Sequence, residues 1–136
     1  MTLRVLILGG TSEGRELAER LSREPRYAAL LSFAGRTESL QRPNLPHRVG
    51  GFGGVPGLCE FLRRERFDAL VDATHPFAAQ MSRHAVQAAE RMRTPLIRLE
   101  RPAWRAEPGD DWQLVPDMPS AARALGEPPR RVFLSI

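Results

Sequence analysis

The stretch that decides the fold is Leu3–Gly14, with the sequence LRVLILGGTSEG. Its first part, Leu3–Leu8, is an apolar run typical of a buried strand in a parallel sheet. A glycine-containing turn follows at once, and an amphipathic helix is expected after it, with Leu17, Ala18 and Leu21 on one face. A strand, a glycine turn and a helix in this order predict the start of a βαβ unit.

The same alternation of strand and helix continues along the chain. Further strands are predicted at Tyr27–Phe33, His47–Val49, Ala69–Ala73 and Leu96–Leu99, and helices at about 56–66, 74–92 and 119–125. The helix at 74–92 is expected to start at Thr74-His75-Pro76, since proline suits a first helical turn. Short strands are also expected at 112–115 and 131–136. The pattern predicts an α/β fold, a Rossmann-like open parallel sheet with helices on both faces.

Length and composition restrict the class of protein. The 136 residues suffice for about one domain, and 42% of them are hydrophobic, an ordinary value for a globular chain. The single cysteine, Cys59, excludes a disulfide framework and a cysteine zinc site. We predict no metal site. No signal peptide is apparent and no apolar run approaches the ~20 residues of a membrane span. We therefore expect a cytoplasmic protein without a membrane partner.

The charge pattern is more specific. All 20 basic residues are arginine, which removes P-loop and Schiff-base lysine chemistry. A net charge of +4 predicts an anionic partner, such as nucleotide phosphates, a polycarboxylate or nucleic acid. Arginine suits the first two because its planar fork binds phosphate and carboxylate in two places, although a bias toward arginine codons equally explains the missing lysine. Nucleic acid is disfavoured, because the arginines are scattered and no recognition motif is present.

The turn after the first strand predicts a phosphate site. Gly9 and Gly14 occupy the first and third glycine positions of G-x-G-x-x-G, and Thr11 replaces the second. A helix N-terminus offers free N–H groups and a partial positive charge to a phosphate. We predict that the whole turn binds the cofactor, through Gly9, Gly10, Thr11, Ser12, Glu13 and Gly14. The alternative is a plain connection between strand and helix.

The end of the second strand favours NADP over NAD. NAD-binding domains usually place an acidic residue there to hold the ribose 2′-hydroxyl, whereas this chain has Gly35, Arg36 and Thr37. An arginine at this point accommodates the 2′-phosphate of NADPH. The alternative is a solvated loop arginine.

Three further segments are expected at the same edge of the sheet, because ligands of open parallel sheets bind outside the carboxyl ends of the strands. The glycine-rich loop 50–54 permits close approach of a ligand, through Gly51 and Gly53, or is only a flexible connector. Thr74 and His75 follow the fourth strand, where they bind cofactor or serve only as a helix cap and an inert histidine. After the fifth strand, a tryptophan stands between arginines, at Arg101, Trp104 and Arg105. Such a group suits a flat anionic substrate, by stacking and carboxylate pairing. The alternative is that the tryptophan only packs the loop against the sheet.

Five motifs in order resemble those of the precorrin-6A reductase family. They are Gly9–Gly14, Ala34–Thr37, Gly50–Gly54, Asp72–Ala78 and Leu99–Trp104. The resemblance implies reduction of one double bond of the precorrin-6A macrocycle with NADPH, to give precorrin-6B in cobalamin synthesis; some members act on the cobalt-containing ring. The substrate, a tetrapyrrole-derived polycarboxylate, is compatible with an arginine-rich chain.

The resemblance also implies domain organisation and roles. Family chains continue into a second α/β domain, so we expect an NADP-binding domain at 1–130 and, at 131–136, the start of a strand leading to a domain absent here. His75 and the Gly51–Gly53 loop are expected nearer the nicotinamide. His75 is the candidate proton donor, with water or the remaining half as alternatives. A nucleotide-binding module without catalysis is the alternative function, and the oligomeric state is left open.

Overall fold

The computed structural model describes residues 1–35 and 44–134. The chain forms two compact units, Met1–Pro102 and Ala103–Ile136. The first unit contains the whole sheet.

A five-stranded parallel sheet organises the first unit, in the order β3-β2-β1-β4-β5. Its strands are β1 (Leu3–Leu8), β2 (Tyr27–Phe33), β3 (His47–Val49), β4 (Ala69–Asp72) and β5 (Leu96–Arg98). The helices are α1 (Ser12–Ser22), α2 (Gly54–Arg64) and α3 (Ala79–Met92). In the centre of the sheet, Leu6 pairs with Leu30 on one side and with Leu70 on the other. The predicted α/β class and open parallel sheet are confirmed.

Two apolar clusters fill the two faces of this sheet. Alternate residues of a strand point to opposite faces, so Leu6 and Leu8 pack with α2 and α3 while Val5 and Ile7 pack with α1. Leu6 and Ile7 are both completely buried. Because β1 is covered on both sides, its sequence is apolar at consecutive positions rather than alternating. Helices on both faces are thus confirmed.

The start of α3 differs from the prediction. The helix begins at Ala79 rather than at Thr74. Asp72 Oδ1 accepts hydrogen bonds from both the backbone N–H and the hydroxyl of Thr74, and the Ala78 N–H donates to the His75 carbonyl. These bonds fix a turn between β4 and α3, and Pro76 lies in that turn instead of in the first helical turn.

The second unit contains α4 (Met118–Ala124), where the Asp117 carboxylate caps the helix by accepting from the Ser120 N–H at 2.7 Å. This agrees with the helix predicted at 119–125. The predicted strand at 112–115 is wrong, because the structure has no strand at these residues. The described residues 131–134 are not in a strand either. The strand expected at 131–136, as the start of a connection to a further domain, stays a prediction. Residues 135 and 136 lie outside the described residues. The domain division at 130 stays a prediction.

In the part of the chain that the structure describes, no helix has both the length and the apolar character of a membrane span.

Contacts at Ala73 hold the beginning of α1 against the end of β4. A Cβ atom added at Gly14 would lie 2.9 Å from the Ala73 Cβ, closer than ordinary carbon contacts. The Thr11 hydroxyl donates to the Ala73 carbonyl at 2.7 Å. The absence of a side chain at Gly14 therefore lets the helix approach this closely.

We predict that Gly14→Ala destabilises the chain by about 1–3 kcal/mol, because the added methyl overpacks a rigid contact. In the double variant with Ala73→Gly the overlap disappears, so the two changes together should cost less than the sum of their separate effects. Urea unfolding of the four proteins measures this coupling. Strict additivity would show that the helix shifts freely and that Gly14 has no packing role.

Candidate functional site

All five strands are parallel, so their carboxyl ends lie at one edge of the sheet. The segments that leave this edge include most of the residues singled out from the sequence. They are 9–14 after β1, 34–35 after β2, 50–53 after β3, 73–78 after β4 and 99–102 after β5. The edge is therefore the candidate site, as predicted for an open α/β sheet.

The turn after β1 is built around the hydroxyl of Thr11. Thr11 is the N-cap of α1, and its Oγ1 accepts from the Gly14 N–H at 3.2 Å while donating its own proton to the Ala73 carbonyl. The proton of this hydroxyl is thus already donated within the protein. Among residues 1–35 and 44–134, the backbone N–H groups of Gly10 and Thr11 have no hydrogen-bond acceptor. These two N–H groups, at a helix N-terminus, are available to an anion.

Two glycines let the turn lie against its neighbours. A Cβ at Gly9 would lie 2.9 Å from Leu31 Cδ1 and 3.2 Å from the Ser32 carbonyl, and the Gly9 N–H donates to that carbonyl at 2.8 Å. Gly10 has a φ of +136°, a conformation that L residues rarely adopt. Its missing Cβ would lie 3.7 Å from the backbone nitrogen of His75. The ends of β1, β2 and β4 are thereby brought together.

Glu13 and Arg101 form an ion pair beside this turn. Arg101 Nε lies 2.7 Å from Glu13 Oε1, and Arg101 Nη2 donates to Ser12 Oγ at 3.0 Å. The hydrogen bond from Arg101 lowers the pKa of Glu13 from 4.5 to about 2, assisted by a backbone hydrogen bond. The same pair raises the pKa of Arg101. Arg101 therefore neutralises the negative charge that Glu13 places at the start of α1.

A cavity of about 200 Å³ opens at the edge, next to the turn. Its walls come from the carboxyl ends of β1 to β4 and from the beginning of α3, and are mainly apolar or glycine. The lining residues are Leu8, Gly9, Gly10, Ser32, Phe33, Ala34, Gly50, Gly51, Phe52, Thr74, Ala78 and Met81. Of the predicted cofactor residues, this cavity unites Gly9, Gly10, Gly51 and Thr74; Gly53 does not line it.

The predicted residue His75 is exposed beside the cavity. Its Nδ1 accepts from the Phe77 N–H at 3.3 Å, and the two rings lie 5.1 Å apart. With Nδ1 accepting, the neutral ring carries its proton on Nε2. Gly35 has a φ of +94° and lies near Val49 and Gly50, so the ends of β2 and β3 meet.

Sequence reasoning missed a buried ion pair at this edge. Asp72, at the end of β4 and 2% exposed, lies 2.8 Å from Arg98 Nη1, at the end of β5. Asp72 Oδ1 also accepts from the hydroxyl of Thr74 at 2.7 Å, and that hydroxyl accepts from Arg98 at 3.2 Å. The signal available in the sequence was a carboxylate inside an apolar run, which needs a buried partner.

Arg48 and Ser32 were also missed. Arg48, on β3, donates to the Ser32 hydroxyl at 2.9 Å and to the carbonyls of Gly50 and Gly51 at 3.0 Å each. Burial lowers the pKa of the Arg48 guanidinium. Here the signal was an arginine two residues before the first glycine of a glycine-rich loop.

The remaining predicted residues are not assembled into this site by the structure. Arg36 and Thr37 lie outside the described residues. Trp104 and Arg105 belong to the second unit, where Trp104 is exposed. Their roles stay predictions.

Comparison with known proteins agrees with the motifs. The model of the family described as precorrin-6x reductase CbiJ/CobK matches residues 4–136. The chain belongs to this family. The resemblance noted from the five motifs is thereby confirmed.

Individual relatives match almost the whole chain but only part of their own length. A precorrin-6A reductase of Sinorhizobium is 50% identical over 133 residues, covering 98% of this chain and 51% of the relative. The Rhodobacter capsulatus precorrin-6A reductase is 48% identical and 53% covered. A cobalt-precorrin-6A reductase of Priestia megaterium is 31% identical over 124 residues, and the match covers 90% of this chain and 48% of the length of that relative. The chain thus spans about half the length of these relatives.

A solved structure, CobK precorrin-6A reductase, shares the fold. It superposes with a TM-score of 0.83 at 47% identity, covering 94% of this chain and 49% of that one. The sheet and its helices are therefore those of the family.

We predict that Arg101→Met raises the pKa of Glu13 from about 2 toward its ordinary 4.5, because the largest cause of the lowering is removed. Carboxyl ¹³C NMR titration of both proteins measures this. With the pKa lowered in the folded chain, the stabilisation from this pair is complete above about pH 4.5 and is lost as the pH falls toward 2. An unchanged Glu13 pKa in the variant would contradict the ion pair.

We predict a double-mutant-cycle coupling of about 1–3 kcal/mol between Asp72→Asn and Arg98→Met, because the carboxylate is buried and its partner is one-third exposed. The control is the exposed helical pair Glu16–Arg20, whose coupling should be about 0.3–0.5 kcal/mol. Chemical unfolding gives both values. Equal couplings for the two pairs would show that the Asp72 pair is no stronger than a surface pair.

Proposed function

We propose that this chain is the cofactor-binding part of an NADPH-dependent oxidoreductase that acts on a CH–CH bond and reduces precorrin-6A to precorrin-6B. The observation that carries the cofactor assignment is the turn at 9–14, where the N–H groups of Gly10 and Thr11 adjoin the start of α1 and have no acceptor among the described residues. The substrate assignment is supported by the relatives named precorrin-6A reductase, of which one is 50% identical.

The residues at the edge fit a dinucleotide. The N–H groups of Gly10 and Thr11 would hold the pyrophosphate, as would those of Ser12 and Glu13 in the first turn of α1. A carboxylate at Glu13 would by itself repel a phosphate, but Arg101 pairs with it at 2.7 Å. The cavity of about 200 Å³ is smaller than most small-molecule sites, about 300–1,000 Å³. It would therefore enclose only part of a dinucleotide.

NADPH, when bound, supplies the hydride for the reduction. The reaction also consumes a proton, and we propose that His75 donates it from Nε2 as the imidazolium, which becomes the neutral ring. The exposure of this residue next to Gly10 supports the role, and its Nδ1 contact with the Phe77 N–H would open when the ring is protonated. The proposed contacts of Thr74, Gly51 and Gly53 with the cofactor are supported by their positions on the loops of the same edge.

For the substrate, a ring bearing many carboxylates, we propose Trp104 and Arg105, by stacking and carboxylate pairing. Arg101 was also predicted on the substrate side, but its guanidinium already contacts Glu13 and Ser12. It would reach a substrate only after that contact opens. An NADPH-dependent reduction of this kind fits the cytoplasm, which the sequence also predicts.

The preference for NADPH is tested at Arg36, which with Gly35 and Thr37 we propose to hold the 2′-phosphate. Arg36→Ala should weaken NADPH binding by ~1.5–3 kcal/mol, through loss of a charge-assisted contact. That is roughly a tenfold to hundredfold change, and NADH binding should be unaffected. Calorimetric titration of the chain with each cofactor at fixed salt measures both affinities.

The control is Arg23→Ala, an exposed arginine at the end of α1 with the same change in net charge. It should leave both affinities unchanged. Equal weakening of NADPH and NADH by Arg36→Ala would reject the 2′-phosphate role. Binding without reduction of precorrin-6A, in the chain joined to the remainder of a family protein, would favour a nucleotide-binding module without catalysis.

A further inference from the structure

Arg48 is a positively charged residue that lies among aromatic rings and carbonyl oxygens. Its guanidinium carbon is 4.1 Å from the centre of the Phe52 ring and 5.0 Å from that of Phe61. In the described residues, no carboxylate lies within ion-pair distance of it. A partly buried guanidinium is costly without compensation, so its hydrogen bonds and the ring faces must stabilise it.

Among the described residues, the side-chain hydrogen bonds of Arg48 all end at the wall of the cavity. Nη1 donates to the Ser32 hydroxyl and to the Gly50 carbonyl, and Nη2 donates to the Gly51 carbonyl. Ser32, Gly50 and Gly51 all line the cavity, as does Phe52, on which the guanidinium stacks. Arg48 itself is not a lining residue. One side chain thus connects the end of β2 to the loop after β3 from behind the wall.

The loop needs such a restraint because its own sequence provides little. Gly50, Gly53 and Gly54 all have positive φ, and no atom of the described residues outside the immediate chain neighbours would lie within 4 Å of a Cβ at Gly50, Gly51 or Gly53. Glycine loses the most conformational freedom on folding. The loop has one backbone anchor at its start, where the Gly50 N–H donates to the Phe33 carbonyl at 2.8 Å. Arg48 holds the two carbonyls that follow.

With these carbonyls bound to Arg48, the loop offers donors rather than acceptors to a ligand. In the described residues, the N–H groups of Gly51 and Phe52 have no hydrogen-bond partner. A free carbonyl would repel the phosphate or ribose oxygens of a dinucleotide, whereas a free N–H attracts them.

We propose that Arg48 is a positioning residue, which holds Ser32 and the loop 50–52 in place as one wall of the cofactor cavity. The effect on cofactor affinity rests on the proposed function. The effect on the loop does not, because it concerns the chain without ligand.

The test compares Arg48→Met, which keeps the aliphatic stem over Phe52 but removes every donor, with Arg48→Lys, which keeps the charge without the planar fork. Arg64→Met is the matched control: Arg64 also lies over Phe61, at 5.5 Å, but is exposed and pairs with Glu65. The first measurement is amide hydrogen exchange of Gly50 in the ligand-free chain. The second is the affinity for NADPH and for NADH.

We expect Arg48→Met to speed exchange at Gly50 by about tenfold or more while Leu6 and Ile7 stay protected. Both cofactors should bind roughly tenfold to a hundredfold more weakly and by the same factor, since the loop and not the 2′-phosphate is affected. Arg48→Lys should show a smaller change in the same direction, and Arg64→Met none.

Wild-type exchange at Gly50 together with wild-type affinities in Arg48→Met would overturn the proposal. If Arg48→Met also loses protection at Leu6 and Ile7, it has lost the fold, and Arg48→Lys decides instead. A folded Arg48→Lys protein with wild-type exchange at Gly50 rejects a role specific to the loop. An Arg48→Lys protein that also unfolds rejects it as well. If the wild-type chain binds neither cofactor, the proposed function fails, and exchange at Gly50 alone decides whether Arg48 holds the loop.

Discussion

The contact between the beginning of α1 and the end of β4 is the constraint on which the rest of the site depends. In this contact the Thr11 hydroxyl donates a hydrogen bond to the Ala73 carbonyl, and the absence of a side chain at Gly14 lets α1 approach Ala73 closely. Because the same hydroxyl caps α1, one residue fixes both the direction of the helix and its distance from the sheet. The turn between β1 and α1 then lies beside the ends of three strands. Its Gly10 and Thr11 N–H groups, which have no acceptor in the part of the chain that the structure describes, lie at the edge.

Charge at this edge is arranged by three arginines that differ in their partners. Arg101 neutralises Glu13, Arg98 compensates the buried Asp72, and Arg48 is held by carbonyls and ring faces. The first two pairs remove negative charge that would oppose an anionic ligand. The third keeps its positive charge behind the wall of the cavity. An arginine-only composition suits this arrangement, since a planar guanidinium bonds several acceptors at once, as Arg48 does here.

The sequence predicted the sheet well because its signals are local. A continuous apolar run predicted β1, and the glycine residues after it predicted the turn and the helix α1 that follow. Predictions failed where the sequence pattern did not show the hydrogen-bond partners: α3 begins at Ala79 because the Asp72 side chain binds Thr74 in a turn before it, and the described residues 112–115 form no strand.

The difference between local patterns and contacts with distant residues also explains which residues of the site could be predicted from the sequence. The location of Gly9 to Gly14 at the carboxyl edge could be predicted because it follows from their position directly after β1. The ion pairs could not, since Arg98 and Asp72 are 26 residues apart in sequence and Arg101 and Glu13 are 88 apart. Arg48 was missed for a related reason: its hydrogen bonds to Gly50 and Gly51 are local, but the cavity they support exists only when β2 and β3 are paired.

The most direct test of the account is a ¹H–¹⁵N NMR titration of the chain with NADPH. The account predicts that the amide signals of Gly10, Thr11 and Gly51, at the carboxyl edge of the sheet, shift together and saturably. Those of Arg26 and Asp68, which precede β2 and β4 at the opposite edge, should not move. Shifts centred on the opposite edge, or no shifts at all, would contradict the claim that the turn after β1 is a dinucleotide site.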